Sequence, residues 1–266
     1  MTTYNTLLVE QQQSRCLVTL NRPAVRNALS GEMIAELTAV LNRIELDRTI
    51  RTLVLRGAEG WFCAGGDIKQ FQQLFQGQLT AEEVAAENRE IGRLLTRLNT
   101  LPQTVVMLVE GAAIGGGFGL VCVSDIAIAT ADTRFSLSET SLGIPPAQIA
   151  AFVVQRIGLT QARRLMLTAA RFQADEAEKL GLVHFAVADS ATLEAKAEEL
   201  LRQIEQCGAQ ANGMTKGILQ TAVSHPLSTT LDLAAHEFAK AMLSDEGREG
   251  VAAFLEKRKP KWSEQG

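Results

Sequence analysis

The sequence predicts a mixed α/β fold followed by an all-helical C-terminal region. Short β-branched segments bounded by turn residues alternate with helical patterns up to Asp189, and only amphipathic helical patterns follow. With 266 residues, 46% of them hydrophobic and 21% charged, the composition is that of a globular protein. We therefore place an α/β core at residues 1–190 and a helical region at residues 191–266.

The predicted strands are short and rich in β-branched and aliphatic residues. Each is flanked by glycine, asparagine, aspartate or threonine, which favour turns. They are CLVTLN at 16–21, RTLVLRG at 51–57, TVVMLVEG at 104–111 and DIAIAT at 125–130.

The predicted helices show apolar residues at the helical period. The first opens near Ser30, and others cover residues 81–99 and 159–170. In the C-terminal region, the stretch around 227–242 and the tail 251–262 are rich in apolar residues for an appendage. Such residues need a covering surface, so we expect a subunit interface there.

Charge, hydropathy and cysteine usage exclude several classes of protein. The net charge of −4 and the absence of a basic helix argue against nucleic acid as a partner. No apolar run reaches the length of a membrane span, and the N-terminus lacks the basic start and apolar core of a signal peptide. The four cysteines have no metal-ligand or paired spacing, which favours free thiols, no metal site and a cytoplasmic location.

A glycine-rich stretch, VEGAAIGGGFGLVC at 109–122, follows a predicted strand and leads into an apolar segment that can start a helix. A strand–glycine–helix turn exposes backbone N–H groups to an approaching ligand. A nucleotide-phosphate loop is disfavoured because no GxxxxGK[ST] motif is present. An oxyanion hole and simple close helix–strand packing both remain open at this point.

Two further stretches favour the oxyanion hole. GAEGWFCAGGDIKQF at 57–71 places small residues after another predicted strand, and FSLSETSLGIPPAQ at 135–148 places Glu139 after a short apolar segment. Two loops of N–H donors and one semi-buried carboxylic acid are the components of enolate chemistry on a carbonyl compound. The donors hold the carbonyl oxygen, and the carboxylate moves a proton.

These motifs, together with LNRPAVRNALS and AFLEKRKPKW, resemble those of the enoyl-coenzyme A hydratase/isomerase (crotonase) family over about residues 10–262. Segments 108–129 and 139–172 are similar to isohexenylglutaconyl-coenzyme A hydratases of acyclic terpene degradation, with methylglutaconyl-coenzyme A hydratases as near relatives. The resemblance implies a crotonase-like α/β spiral of ββα units with a C-terminal helical trimerisation region. It also implies an acyl-coenzyme A substrate, no separate cofactor, and a homotrimer or dimer of trimers.

The resemblance also implies roles for individual residues. The thioester oxygen would be held by the N–H groups of Gly66 and Gly116, and Glu139 would be the catalytic carboxylate. The positions implied to bind substrate or coenzyme A are Arg22, Val25, Arg26, Ala64, Gly66, Asp67, Ile68, Gly116, Gln148, Phe254 and Lys257. Among these, Phe254 and Lys257 match positions that often approach the coenzyme of a neighbouring subunit.

Two departures from the family pattern bear on the reaction. Well-studied hydratases carry a second glutamate where this chain has Gly119, and we hypothesise that Gly119 leaves room for a branched acyl group. Gln148 stands where the family is rich in glycine, either contacting water or a distal substrate group or capping the next helix. One carboxylate suits a hydratase and also a double-bond isomerase, and a non-catalytic coenzyme- or RNA-binding scaffold is the third reading.

Overall fold

The computed structural model describes residues 3–67, 77 and 79–263, and its strands form two sheets. The strands are β1 Leu7–Gln12, β2 Arg15–Leu20, β3 Thr52–Gly57, β4 Thr104–Val109, β5 Ala112–Ile114, β6 Ile126–Thr130, β7 Arg134–Ser136, β8 Arg171–Gln173 and β9 Phe185–Val187. The larger sheet has the order β1-β2-β3-β4-β6-β9 and is parallel except for the β1–β2 hairpin. The smaller sheet has the order β5-β7-β8.

Helices connect these strands and form the C-terminal region. They are α1 Gly31–Glu45, α2 Ala81–Thr100, α3 Gly116–Cys122, α4 Ala150–Thr168, α5 Ala174–Lys179, α6 Ser190–Gln206, α7 Ala209–Ser224, α8 Leu227–Leu243 and α9 Asp245–Leu255. Within the described ranges, no strand follows β9. None of the described helices is both long and apolar enough to cross a bilayer.

The large sheet has a hydrophobic core on each face. Successive side chains of its central strands point to opposite faces, so they contribute in turn to the two cores. Leu53, Leu55 and Met107 contribute to the main core, which also contains the apolar faces of α1 and α2. The intervening Val54 and Val106 pack on the other face. They join a second core that contains the apolar residues Leu193, Ala197, Leu201 and Ile204 of α6. The first helix beyond residue 190 thus packs on the sheet itself.

The mixed α/β prediction is confirmed, and four predicted strands correspond to β2, β3, β4 and β6. The helix predicted near Ser30 begins at Gly31, with the Ser30 hydroxyl accepting a hydrogen bond from the Met33 N–H. The helix predicted at 159–170 is α4, which begins earlier, at Ala150. Gly158 interrupts α4 with a φ of +75°. The part of α4 after this glycine was predicted from the sequence, and the part before it, residues 150–157, was not.

The last three helices leave much of their apolar surface uncovered in the single chain. In α7, α8 and α9 only Thr230 and Ala253 are buried. The exposed apolar residues there are Leu219, Val223, Leu227, Leu231, Phe238, Met242, Leu243, Val251, Phe254 and Leu255. Lys216 attaches α7 to the core, donating to Asp125 Oδ2 at 2.6 Å and to the Gln103 carbonyl at 3.3 Å.

Candidate active site

The two glycine loops predicted from the sequence lie against each other. Cys63 forms a parallel β-bridge with Ala113, and the Ile114 N–H donates to the Cys63 carbonyl at 3.0 Å. Gly65, with a φ of +101°, approaches so closely that a Cβ there would lie 3.1 Å from the Ile114 carbonyl oxygen. The end of the loop after β3 is therefore held beside the turn between β5 and α3.

Each loop presents one uncommitted backbone N–H. Gly116 is the first residue of α3, where helix geometry leaves N–H groups without an intrahelical acceptor. Gly66 lies between the Gly65 carbonyl and the Asp67 N–H, both of which hydrogen-bond to Leu29. Among the backbone hydrogen bonds of the described residues, none uses the N–H of Gly66 or Gly116. Two donors are thus available for an oxygen placed between the loops.

The side chain of Glu139 packs against Gly115, in the loop between β5 and α3. This residue follows β7 and opens a 3₁₀ turn over Glu139–Leu142. A Cβ on Gly115 would lie only 2.7 Å from Glu139 Oε1, and Gly115 itself has a φ of +49°, which a residue with a side chain rarely adopts. Gly115 is therefore required both by the turn and by the carboxyl group that covers it.

The carboxyl group of Glu139 is poised for proton transfer. Its Oε2 is buried and has no hydrogen-bond partner among the described residues. Burial raises the pKa of this carboxyl group, because removal from water disfavours the charged form. A carboxyl group that has one buried oxygen without a partner and a raised pKa, close to two available N–H donors, is the arrangement expected of a general acid–base residue.

The space next to Gly119 is occupied by the protein itself. A Cβ at this position would lie 2.5 Å from Ile149 Cγ2 and 3.3 Å from Leu95 Cδ1. The hypothesis that Gly119 leaves room for a branched acyl group is therefore wrong, since Ile149 from the segment before α4 fills that room. The same contact leaves no space for a glutamate at position 119.

Comparison with known proteins agrees with this geometry. The sequence profile of the enoyl-CoA hydratase/isomerase family matches residues 10–265. The chain belongs to the enoyl-CoA hydratase/isomerase family. Three curated relatives, at 30–35% identity, are named enoyl-CoA hydratases or probable enoyl-CoA hydratases, which are carbon–oxygen lyases.

Solved structures and a curated relative cover nearly the whole chain. AtuE of Pseudomonas aeruginosa is 54% identical, with a TM-score of 0.95, and the match covers 97% of this chain and all of AtuE (100%). An enoyl-CoA hydratase/isomerase from Marinobacter aquaeolei is 44% identical, with a TM-score of 0.94 and coverage of 97% and 99%. Enoyl-CoA hydratase EchA19 of Mycobacterium tuberculosis is 35% identical over 255 residues, which are 95% of this chain and 94% of EchA19. The crotonase-like fold is thereby confirmed.

In this enoyl-CoA hydratase/isomerase family member, Arg22 braces the first loop. Its guanidinium donates to Asp67 Oδ2 at 2.7 Å and to the Ala28 carbonyl at 2.7 Å. Asp67 is buried, so its ion pair with Arg22 fixes the end of the loop that carries Gly66. Coenzyme binding by Arg22 and Asp67 stays a prediction. In the structure without coenzyme, the two side chains form an ion pair with each other.

The neighbouring residues implied to bind coenzyme surround the same loop. The side chain of Arg26 is exposed, and its backbone adopts a left-handed conformation with a φ of +50°. Its guanidinium lies 4.5 Å from the centre of the Trp61 ring. The Arg26 carbonyl accepts from the Ala64 N–H at 3.0 Å, while Val25 is half-buried beside it. The structure thus gathers Val25, Arg26 and Ala64 on one rim, and Ile68 lies outside the described residues.

Phe254 and Lys257 lie at the end of α9, within the exposed apolar surface of the C-terminal helices. Phe254 is 82% exposed, and Lys257 is also exposed. Within the described part of the chain, no hydrogen bond or ion pair joins either residue to Gly66, Gly116 or Glu139. A role at the coenzyme of a neighbouring subunit stays a prediction.

Gln148 contacts helix α2, and its predicted contact with water or substrate stays a prediction. Its amide oxygen accepts from Arg89 Nη1 at 3.0 Å and occupies the notch above Gly92 in α2. The helix-capping alternative is wrong, because the residue that precedes α4 is Ile149 and no side chain caps that helix. The sequence did not predict Arg89 as the partner of Gln148, or Leu95 and Ile149 as neighbours of Gly119. The one sequence signal for these contacts was the presence of two large residues, Gln148 and Ile149, where the family usually has small ones.

The filled space at Gly119 predicts a loss of stability when a single methyl group is added. Gly119→Ala forces Ile149 or α3 to shift and should lower the free energy of unfolding by about 1–3 kcal/mol. Gly217→Ala is the matched control, because nothing lies within 4 Å of the added atom in α7. Alanine there should be neutral or stabilising by up to about 1 kcal/mol, measured by urea unfolding. Equal effects of the two substitutions would contradict the packing described here.

The raised pKa of Glu139 predicts the pH at which kcat/KM falls on the acid side of its pH profile. A general base acts as the carboxylate, so kcat/KM should fall as the pH drops through the pKa of Glu139. Because burial raises that pKa, the midpoint should lie above the ordinary value of about 4.3. The measurement is kcat/KM against pH, with enzyme stability checked at each pH. A midpoint at or below the ordinary value would refute the assignment of this limb to Glu139.

Proposed function

We propose that the enzyme adds water to the double bond of a branched glutaconyl-CoA of the isohexenylglutaconyl type. The observation that carries the catalytic part is the position of Glu139 above Gly115, beside the free N–H groups of Gly66 and Gly116. The resemblance of segments 108–129 and 139–172 supports the branched glutaconyl substrate. Coenzyme A is part of that substrate, and no further cofactor is proposed.

The proposed reaction uses the two loops and one carboxylate in turn. The thioester oxygen lies between the N–H groups of Gly66 and Gly116. The Glu139 carboxylate takes a proton from water while the water oxygen bonds to C3 of the acyl group, and the electron pair of the C2–C3 double bond moves into the enolate. The two donors stabilise the negative oxygen that forms. Protonated Glu139 then returns the proton to C2, which completes addition of H and OH.

Double-bond isomerisation is the second candidate because it also needs only one carboxylate. Glu139 would take a proton from C4 and return it to C2, while the same donors hold the dienolate oxygen. A panel of unsaturated acyl-CoA thioesters separates the readings by product. A hydroxyacyl-CoA supports hydration, a shifted double bond supports isomerisation, and binding without either product supports a non-catalytic scaffold.

Replacement of Glu139 tests its role as the only proton carrier. Glu139→Gln keeps the size and hydrogen-bonding capacity of the side chain but cannot accept a proton. We expect kcat to fall by about 10²–10⁴-fold, with little change in coenzyme binding. Glu10→Gln, on the exposed edge of β1, is the matched control and should leave kcat unchanged. A Glu139→Gln enzyme that keeps more than about a tenth of the wild-type rate would rule out this role.

We further propose that the enzyme is a homotrimer or a dimer of trimers assembled through α7, α8 and α9. Ten large apolar residues are exposed on these three consecutive helices, and clustered exposed apolar residues often mark interaction sites. Light scattering at micromolar concentration should give three or six copies of the 28.8 kDa chain. Phe238→Glu should dissociate the assembly, whereas Leu46→Glu, on the exposed end of α1, should not. A wild-type monomer would contradict the proposal.

A further inference from the structure

Leu29 lies two residues before helix α1 and contacts both loops that carry the N–H donors. It is buried in the main core, with 4% of its surface exposed. The Ser30 hydroxyl caps the start of α1, so the helix fixes the backbone that carries Leu29. Leu29 has no part in the reaction steps described above, yet its contacts join the two donor residues.

The backbone of Leu29 orients the Gly66 donor. Leu29 forms a parallel β-bridge with Gly66. Its N–H donates to the Gly65 carbonyl at 2.8 Å, and its carbonyl accepts from the Asp67 N–H at 3.0 Å. The Gly65 carbonyl and the Gly66 N–H belong to one trans peptide unit, so they point in opposite directions. The hydrogen bond from Leu29 therefore directs the Gly66 N–H away from the Leu29 segment and leaves it available to a ligand.

The side chain of Leu29 contacts the other donor residue, Gly116. A Cβ on Gly116 would lie 2.9 Å from Leu29 Cδ1. Apart from the backbone of α3 and the chain neighbours, no other atom of the described residues lies within 4 Å of that position. Because Gly116 begins α3, the contact supports the helix end whose N–H is the second donor. One isobutyl group thus joins the segment bonded to the first loop with the turn of the second.

Arg22 reinforces the bridge between Leu29 and Gly66. Its guanidinium donates to the Ala28 carbonyl at 2.7 Å and to Asp67 Oδ2 at 2.7 Å. Ala28 precedes Leu29 and Asp67 follows Gly66, so one side chain links the two segments that the bridge joins. The backbone of Leu29 is therefore held from several sides, and close packing in the core leaves its side chain few alternative positions.

We propose that Leu29 is a positioning residue that sets the separation and direction of the Gly66 and Gly116 N–H groups. The inference rests on the proposed function, because it assumes that these two groups hold the thioester oxygen. Oxyanion donors are effective only at about 2.7–3.1 Å from the position of the charged oxygen, so a displacement of about 1 Å slows the reaction. Leu29 acts through the two glycines and supplies no group to the substrate.

Leu29→Ala removes the contact with Gly116 and keeps both N–H donors. The measurement is difference infrared spectroscopy of bound pentanoyl-CoA with ¹³C at the thioester carbonyl, a saturated thioester that cannot be hydrated. Wild-type enzyme should move the carbonyl band to lower wavenumber, and Leu29→Ala should reduce that shift by roughly half or more. On a thioester that wild-type enzyme converts, kcat should fall by about 10–10²-fold, as expected for donors displaced by about 1 Å.

Leu37→Ala is the matched control, because Leu37 is also a leucine buried in the main core, about two turns into α1. It removes the same atoms and should leave the carbonyl shift and kcat unchanged. Leu29→Met, which keeps a side chain of similar volume, should restore both. A Leu29→Ala enzyme with the full carbonyl shift would overturn the proposal even if its kcat falls, since that loss would be a general effect of a smaller core side chain.

Gly116→Ala provides an independent variant, because it keeps the N–H and adds the methyl group that would meet Leu29 Cδ1 at 2.9 Å. It should reduce the carbonyl shift in the wild-type background and reduce it less in the Leu29→Ala background, where the methyl group has room. Additive effects of the two substitutions would also overturn the proposal. Absence of a carbonyl shift in wild-type enzyme would instead refute the oxyanion hole itself, so failure of the proposed function is distinguishable from failure of the role of Leu29.

Discussion

The close approach of two backbone segments, Gly65 against Ile114 and Gly115, is the constraint on which the site depends. Parallel pairing of β3 with β4 and the Cys63–Ala113 bridge bring the two loops together. Any side chain at Gly65 or Gly115 would separate the loops or displace Glu139. The glycines therefore cost backbone entropy in order to place two N–H donors and one carboxyl group around the same point.

Apolar residues occupy the space beside Gly119, where the second carboxylate of two-glutamate hydratases is expected. Where two-glutamate hydratases would need room beside Gly119, Ile149 and Leu95 make an apolar contact that keeps α2, α3 and the start of α4 together. Burial raises the pKa of Glu139, and a hydrogen bond from its own backbone N–H opposes this shift. In the mechanism proposed above, Glu139 therefore both accepts and returns the proton.

Local patterns in the sequence were sufficient to predict the glycine loops and four of the six strands of the large sheet, namely β2, β3, β4 and β6. Those strands are five or six residues long, and most of their residues are buried, so each appears in the sequence as a run of β-branched and aliphatic residues between turn residues. The strands β5, β7, β8 and β9 have three residues each, too few for such a run to stand out. Glu139, Gly66 and Gly116 could be assigned as candidate site residues because the motifs that contain them are local.

What the sequence could not predict were contacts between distant segments. The occupant of the space at Gly119 comes from a residue 30 positions away, and the partner of Gln148 lies 59 positions before it on another helix. The contact of Gln148 with Arg89 was not expected, because nothing in the sequence around Gln148 points to Arg89. Tertiary packing decided both outcomes, and no local pattern encodes it.

The most direct test of the account is the carbonyl stretching frequency of a bound, ¹³C-labelled enoyl thioester, measured by difference infrared spectroscopy. If the N–H groups of Gly66 and Gly116 hold the thioester oxygen, the band should move to lower wavenumber on binding. The shift should persist in Glu139→Gln, because the donors are backbone groups, and should shrink in Gly116→Pro, which lacks one donor. A bound thioester whose carbonyl band stays at its frequency in water would contradict the central claim that these two loops form an oxyanion hole.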